Sequence, residues 1–314
     1  MPYHSKWQDL PTEAINPDTL GIDKMPVADI IDLINAEDRR VVSAVHKERE
    51  RIVHGVEILV SALRKGGRIL LVGAGTSGRL GVVEAAEMPP TFGTSPHLVQ
   101  AIMAGGQEAV FRAREGVEDN FEEGARSVAR LRVSKRDVII GVSASGITQF
   151  VRGALTGARK KHARIIFVTC WPKTELQNFV DLIIAPSVGP EVIAGSTRLK
   201  AGTATKMVLN MLTTIAMIRV GKTYGNLMVD VQTGSEKLKD RAKRIVAIAT
   251  GIEPEEAAEL LIRAKWNVKA AIVMKRADVP YSKALGLLRG ADDSIRDALG
   301  EDLEPRLKKI LDVK

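Results

Sequence analysis

An apolar run, Ile69-Leu-Leu-Val72, leads directly into Gly73-Ala-Gly-Thr-Ser-Gly78, and the residues after it, up to Pro89-Pro90, carry a helical pattern. A buried strand, a glycine-rich turn and a helix in that order aim backbone N–H groups at an anion. Thr76 and Ser77 add hydroxyl donors to the same turn. The turn therefore implies a phosphorylated small molecule, with Gly75, Thr76, Ser77 and Gly78 as its candidate contacts.

Four more apolar runs follow, at residues 98–103, 138–142, 165–169 and 182–185. Helical patterns separate most of them. Continuous apolar strands alternating with helices predict a doubly wound parallel sheet covered on both faces. Ligands in such folds sit beyond the carboxyl ends of the strands. A second hydroxyl-rich turn, Ser143-Ala-Ser-Gly146, stands at one of those ends, before a helix beginning near Thr148. Ser77, Ser143, Ser145 and Thr148, with Gly146 shaping the second turn, are expected to converge on one phosphate.

The rest of the chain divides around this block. Residues 1–64 read as an N-terminal arm and helices: 1–24, with Pro11, Asn16-Pro17 and Gly21, as an extended arm, and 25–64 as helical. Residues 65–235 form the phosphate-binding domain. Within it a long helical pattern over 196–220, with Met207, Met211 and Leu212, reads as core or subunit interface. Residues 236–314 read as a small C-terminal helical domain, with a three-helix unit suggested by 251–272.

Composition excludes several function classes. Aromatic residues are only 4% of the chain, too few for a base-stacking platform. The net charge of +8 is spread along the sequence without a nucleic-acid-binding signature, and reads as solvated surface that favours anionic substrates. Cys170 is the only cysteine, so neither an intrachain disulfide nor a cysteine-based zinc site is expected. No apolar run approaches a bilayer span, and no signal-peptide pattern opens the chain. The expectation is a soluble, cytoplasmic protein that binds neither nucleic acid nor membrane.

Gly73-Ala-Gly-Thr-Ser-Gly78 formally matches the dinucleotide fingerprint, which also asks for an acid at the end of the second strand. That strand ends instead in Met103-Ala-Gly-Gly106. Gly221-Lys-Thr223 looks like the tail of a P-loop, but Ala216 stands where glycine is needed and a helix precedes it. Both nucleotide readings fail.

The longer run from Gly73 through Glu87-Met-Pro-Pro-Thr-Phe-Gly93 closely resembles the N-acetylmuramic acid 6-phosphate etherases. Thr12-Glu13 with Asn16 is similar to the family's Thr-Glu-x-x-Asn, and Glu115-Gly-Val-Glu-Asp119 to its Glu-Gly-Ala-Glu-Asp. Ser143–Gly146, Gly195-Ser-Thr-Arg-Leu-Lys-Ala-Gly-Thr203 and Tyr224-Gly-Asn-Leu-Met-Val-Asp230 also match. The resemblance implies a sugar-isomerase (SIS) domain with a five-stranded sheet in flavodoxin-like order. It implies a carbon–oxygen lyase that cleaves the D-lactyl ether of N-acetylmuramic acid 6-phosphate and adds water. The products would be N-acetylglucosamine 6-phosphate and D-lactate, in cell-wall sugar recycling. No metal or organic cofactor is implied, and a homodimer is favoured. The family's two catalytic glutamates fall on Glu87, as general acid, and Glu118, as base at C2. Lys200 joins the expected substrate-binding residues by the same carry-over.

The ether oxygen sits on C3, beta to the aldehyde carbon of the opened sugar. Removing the C2 proton lets the C3 oxygen leave, so the reaction needs one group to take a proton and another to give one. If 77–88 form one helix, Glu87 lies about 15 Å along it from the phosphate turn. Either Pro89-Pro90 bends the chain back, or Glu87 serves a site shared with a second subunit. Three positions depart from the family pattern: Ile147-Thr-Gln149 replaces Arg-Thr-Pro, Glu84 replaces Asp, and Met88 stands where Cys is common. Two other readings compete. A non-catalytic sugar-phosphate sensor of the same fold would lack the Glu-x-Pro-Pro element at Glu87. A sugar-phosphate isomerase would need a base but no acid aimed at an ether oxygen.

Overall fold

The computed structural model describes Trp7 and residues 10–312, in two compact units. The first holds the residues up to Ala86 together with His97–Thr213, and the second holds Glu87–Pro96 and the chain from Thr214 onward.

In the first unit, α1 (Val27–Lys47) and α2 (Arg49–Arg64) lead into β1 (Ile69–Gly73) and α3 (Gly75–Phe92). Then come β2 (Val99–Met103), the single turn α4 (Glu108–Phe111), α5 (Phe121–Arg130), β3 (Val138–Val142) and α6 (Gln149–Lys160). β4 (Arg164–Val168), β5 (Leu182–Ile184) and α7 (Lys200–Arg219) complete it, with the last turns of α3 and α7 counted in the second unit. The five strands are all parallel, in the order β2-β1-β3-β4-β5. This is the flavodoxin-like order, and it reverses direction between β1 and β3. Gly73 pairs with both Met103 and Val142, so β1, β2 and β3 end level with one another. The turns after β1 and β3 therefore leave the sheet side by side at its switch point.

β1 and β3 are buried at every position. One face of the sheet packs Leu70, Val72, Ile139 and Phe167 against Phe150, Ala154 and Leu155 of α6 and Val128 of α5. On the other face α2 meets α7 and β5 closely: a Cβ built on Gly55 would lie 2.7 Å from Leu212 Cδ2. Each fully buried Leu, Ile or Val contributes about 1.5–3 kcal/mol, which is what holds the strand ends rigid.

Several boundaries differ from expectation, each for a local reason. The expected extended arm is folded where it is described. Asn16 caps a 3-10 turn at Pro17–Thr19, a second follows at Ile22–Lys24, and Thr12, Asn16 and Thr19 are buried. Residues 1–6, 8 and 9 of that arm lie outside the described residues. α3 does not stop at Pro89-Pro90 but runs on to Phe92. Each proline removes one N–H donor. The helix ends at Gly93, which has φ +61° and donates its N–H to Pro89 O at 3.0 Å. α7 begins at Lys200 rather than Ser196, because the Glu191 carboxylate accepts from the N–H groups of Lys200 and Ala201 at 2.9 Å and fixes the first turn there.

The second unit has a two-stranded antiparallel hairpin, β6 (Thr223–Tyr224) and β7 (Leu227–Met228). Among the described residues six helices follow rather than three: α8 (Glu236–Thr250), α9 (Pro254–Arg263), α10 (Val268–Ala277), α11 (Tyr281–Gly290), α12 (Ile295–Leu299) and α13 (Glu304–Asp312). Side-chain caps at Ser235, Asn267 and Ser294 start three of them, and left-handed residues Gly251, Asp278 and Gly300 end three. Their core is built on Leu261, Ile272, Val273 and Ile295. Among the described residues no helix is long and apolar enough to cross a membrane.

Candidate active site

The turn after β1 is shaped by a backbone-on-backbone contact. A Cβ on Gly73 would lie 2.6 Å from Gly78 N, and one on Gly78 would lie 2.6 Å from Gly73 O. No side chain fits at either position, so α3 starts hard against the end of its strand. Gly75, at φ +54°, makes the turn between them. The first-turn N–H groups of α3 carry the partial positive charge of a helix N-terminus.

The turn after β3 is fixed from within and from behind. Gly146 N–H donates to Ser143 Oγ at 3.1 Å, and Ser143 Oγ lies 2.7 Å from Thr148 Oγ1. Behind it, Cys170 N–H and Thr169 Oγ1 donate to Ala144 O at 3.0 and 3.2 Å. Gly146 has φ +77°, and a Cβ there would press on Thr169 Oγ1 at 3.3 Å.

The two turns face one cavity of about 370 Å³. Gly75, Thr76 and Ser77 line it from the first turn, and Ser143, Ser145 and Thr148 from the second. Glu118 lines it as well, half-buried on the 3-10 turn Val117–Asp119, which opens at Gly116 with φ +76°. Arg79 supports this side: its Nε and Nη2 donate to Val110 O and Ala109 O at 2.9 and 2.8 Å, tying α4 to α3. A cavity of this size holds a small molecule. It brings together hydroxyl and N–H donors for an anion and carboxylates able to take a proton, Glu118 among them.

Three expected site residues are not among those lining the cavity, and a fourth lies on the second unit. Gly78 packs against Gly73 and Met103, and Gly146 is a turn residue behind its loop. Lys200 is a correction. Its side chain is 1% exposed and ion-paired with Glu37, 2% exposed, so the ammonium is consumed inside the fold rather than offered to a phosphate. Glu87 belongs to the second unit, exposed on α3. Glu84 is buried and accepts from Thr213 Oγ1 and Asn210 Nδ2 of α7, which explains the need for an acid there. Among the lining residues with no role from sequence are Thr12, Glu13, Arg79 and Thr197. Thr12, Glu13 and Thr197 lie inside motifs whose residue types already stood out; Arg79 carried no separate signal.

Burial pushes the Glu191 carboxyl above its ordinary value, against the two backbone N–H groups it caps. Burial, assisted by the Glu191 charge, pushes the Cys170 thiol up to about 12. Cys170 is thus an inert packing residue behind the second turn.

Residues 51–159 match the glucokinase regulatory protein N-terminal SIS domain, and residues 120–215 match the SIS domain. The chain is 49% identical over 296 residues to the N-acetylmuramic acid 6-phosphate etherase of Salinibacter ruber, covering 94% of this chain and 95% of that protein. It is 47% identical to the enzyme of the same name from Clostridium acetobutylicum, covering 94% of this chain and 98% of that protein. A phosphoheptose isomerase structure from Neisseria gonorrhoeae aligns with 61% of this chain and 98% of its own, at 18% identity and a TM-score of 0.47. Two near-full-length matches at this level show that the chain belongs to the N-acetylmuramic acid 6-phosphate etherase family.

Proposed function

We propose that this protein is a carbon–oxygen lyase that cleaves the D-lactyl ether of N-acetylmuramic acid 6-phosphate and adds water, releasing N-acetylglucosamine 6-phosphate and D-lactate. The observation that carries this beyond kinship is Glu118 standing in the same cavity as the two hydroxyl-bearing turns. The 6-phosphate binds to Ser77, Ser143, Ser145 and Thr148 and to the first-turn N–H groups of α3. Glu118 takes the C2 proton of the opened sugar. The C3–O bond breaks, its electron pair leaves with the lactyl oxygen, and a general acid protonates that oxygen. Water then adds across C2 and C3, oxygen to C3 and hydrogen to C2.

Glu87 is the general acid. α3 does not bend back at Pro89-Pro90 but runs on to Phe92. This favours the alternative in which Glu87 of one subunit serves the cavity of another, in a cytoplasmic homodimer. Mixing inactive Glu87→Gln and Glu118→Gln chains by unfolding and refolding restores activity under this arrangement. Confirmed mixed dimers without activity would reject it.

The deciding experiment follows the C2 proton by NMR in heavy water. Glu87→Gln retains the base, so it exchanges that proton while releasing little lactate. Glu118→Gln loses both. Exchange at the wild-type rate in Glu118→Gln would remove Glu118 from the role of base. The match of residues 51–159 to a regulatory protein's SIS domain supports a second reading, a sugar-phosphate sensor without catalysis. Lactate release by the wild-type chain separates the two.

A further inference from the structure

Thr12 and Glu13 line the cavity, yet neither the phosphate nor the proton transfers derived above use them. Thr12 is 3% exposed, and its hydroxyl has no hydrogen-bond partner among the described residues. A buried polar group left unpaired is costly, and nearly all such groups in folded proteins have a partner. At a cavity wall a ligand can supply that partner. Glu13 is exposed there, and its Oε2 stands 3.3 Å from where a Cβ on Gly195 would lie. Gly195 also lines the cavity and donates its N–H to Thr12 O at 3.0 Å, joining the two segments into one wall.

This wall is anchored. Asn16 Nδ2 donates to Glu37 Oε2 at 3.0 Å, and Glu37 is ion-paired with buried Lys200 and with Arg40. Asn16 Oδ1 accepts from Asp18 N–H at 3.0 Å. The segment is therefore held against α1 and α7 by buried polar contacts. Its chemistry also differs from that of the turns. A carboxylate repels a phosphate, so Glu13 cannot serve the anionic end of the ligand. It accepts hydrogen bonds from neutral donors.

We propose that Thr12 and Glu13 form the sugar-recognition wall of the cavity, where Glu13 accepts from hydroxyl or acetamido N–H groups of the sugar and the Thr12 hydroxyl completes the set. Gly195, without a side chain, lets the ring approach. The proposal rests on the sugar-phosphate reading of the site and deepens it to the part of the substrate that sets specificity.

The test is calorimetric binding of N-acetylglucosamine 6-phosphate and of inorganic phosphate to the full chain and its variants. Thr12→Val and Glu13→Ala should each weaken the sugar phosphate by at least about tenfold, the scale of a lost hydrogen bond to a buried or charged group. Inorganic phosphate should change by less than about twofold, because the two turns are untouched. Thr12→Ser, which keeps the hydroxyl, should bind like wild type. Unchanged sugar-phosphate affinity would overturn the proposal, and so would equal losses for both probes, which would mark the segment as a fold support. If Thr12→Val does not fold, Glu13→Ala decides alone. A wild-type chain that bound the sugar phosphate but released no lactate would sink the etherase reaction and leave this contrast intact.

Discussion

Replacing Lys200 with Met removes an ammonium while keeping most of the side-chain volume, and it separates an anchor from a ligand contact. Lys200 and Glu37 are 1% and 2% exposed, so the carboxylate left behind stays buried. Breaking such a pair by removing one partner costs about 3–5 kcal/mol. Two donors soften the loss here: Arg40 Nη1 lies 2.8 Å from Glu37 Oε1, and Asn16 Nδ2 lies 3.0 Å from Glu37 Oε2. We therefore expect the lower end, about 3 kcal/mol. For a unit of about 200 residues, each kcal/mol moves the midpoint by about 2–4 °C, which gives a drop of about 6–12 °C. The companion change Glu37→Gln removes the stranded charge and keeps an acceptor for Asn16. The double variant should recover at least about 1 kcal/mol over the sum of the single changes. The assay is calorimetric unfolding of the four proteins, with inhibition by inorganic phosphate measured well below the midpoint. An anchor leaves phosphate inhibition within about twofold of wild type. A Lys200→Met chain with an unmoved midpoint and phosphate inhibition weakened tenfold would refute the argument and return Lys200 to the phosphate site.

Ser77→Ala should raise KM with little change in kcat, since the phosphate is held before and during the reaction; N-acetylmuramic acid without its phosphate turning over as well as the phosphorylated sugar would contradict the assignment. Gly78→Ala puts a Cβ 2.6 Å from Gly73 O and 2.3 Å from Met103 Sδ, so the first turn must shift, and both unfolding midpoint and phosphate affinity should fall. Asp137 is buried, which alone would raise its carboxyl, but hydrogen bonds from Arg68 and the backbone of Ser134 and Arg68 hold it below the ordinary 3.8. Its contribution is present above that unfolded value and lost as pH falls through the lower folded one; Asp137→Asn should lose stability at neutral pH and show a flatter decline under acid in a pH series of melts. Cys170, with its thiol pushed up to about 12, should resist thiol reagents at pH 8 in the native protein and react only on unfolding.

The sheet was legible because its signal is local. Residues 138–142 read as a strand from their apolar run alone, and β3 occupies the same five positions. The two turns were legible because two glycine- and serine-rich turns at the ends of different strands, each before a helix, point to one anion, and Ser77, Ser143, Ser145 and Thr148 all line the cavity. Element ends were less legible, because they depend on partners distant in sequence. α7 starts at Lys200 only because Glu191, nine residues earlier, caps it. The six C-terminal helices read as fewer because their stops are single residues such as Asp278, whose left-handed conformation no apolar periodicity reports.

Lys200 shows the same limit at the site itself. A lysine in a motif shared with a sugar-phosphate family reads as a phosphate contact, since a free ammonium is a good anion ligand. Whether it is free depends on Glu37, 163 residues away in sequence. Long-range pairing of this kind converts a binding residue into an anchor without changing its type. The same pairing gives the N-terminal motif a physical meaning: Asn16 fastens to Glu37, and four residues before it Thr12 brings to the cavity wall a hydroxyl without a partner among the described residues. The motifs around residues 12–16 and 195–203 thus act as one device, in which the buried charges set the position of the wall and the wall, rather than the phosphate turns, discriminates between sugars.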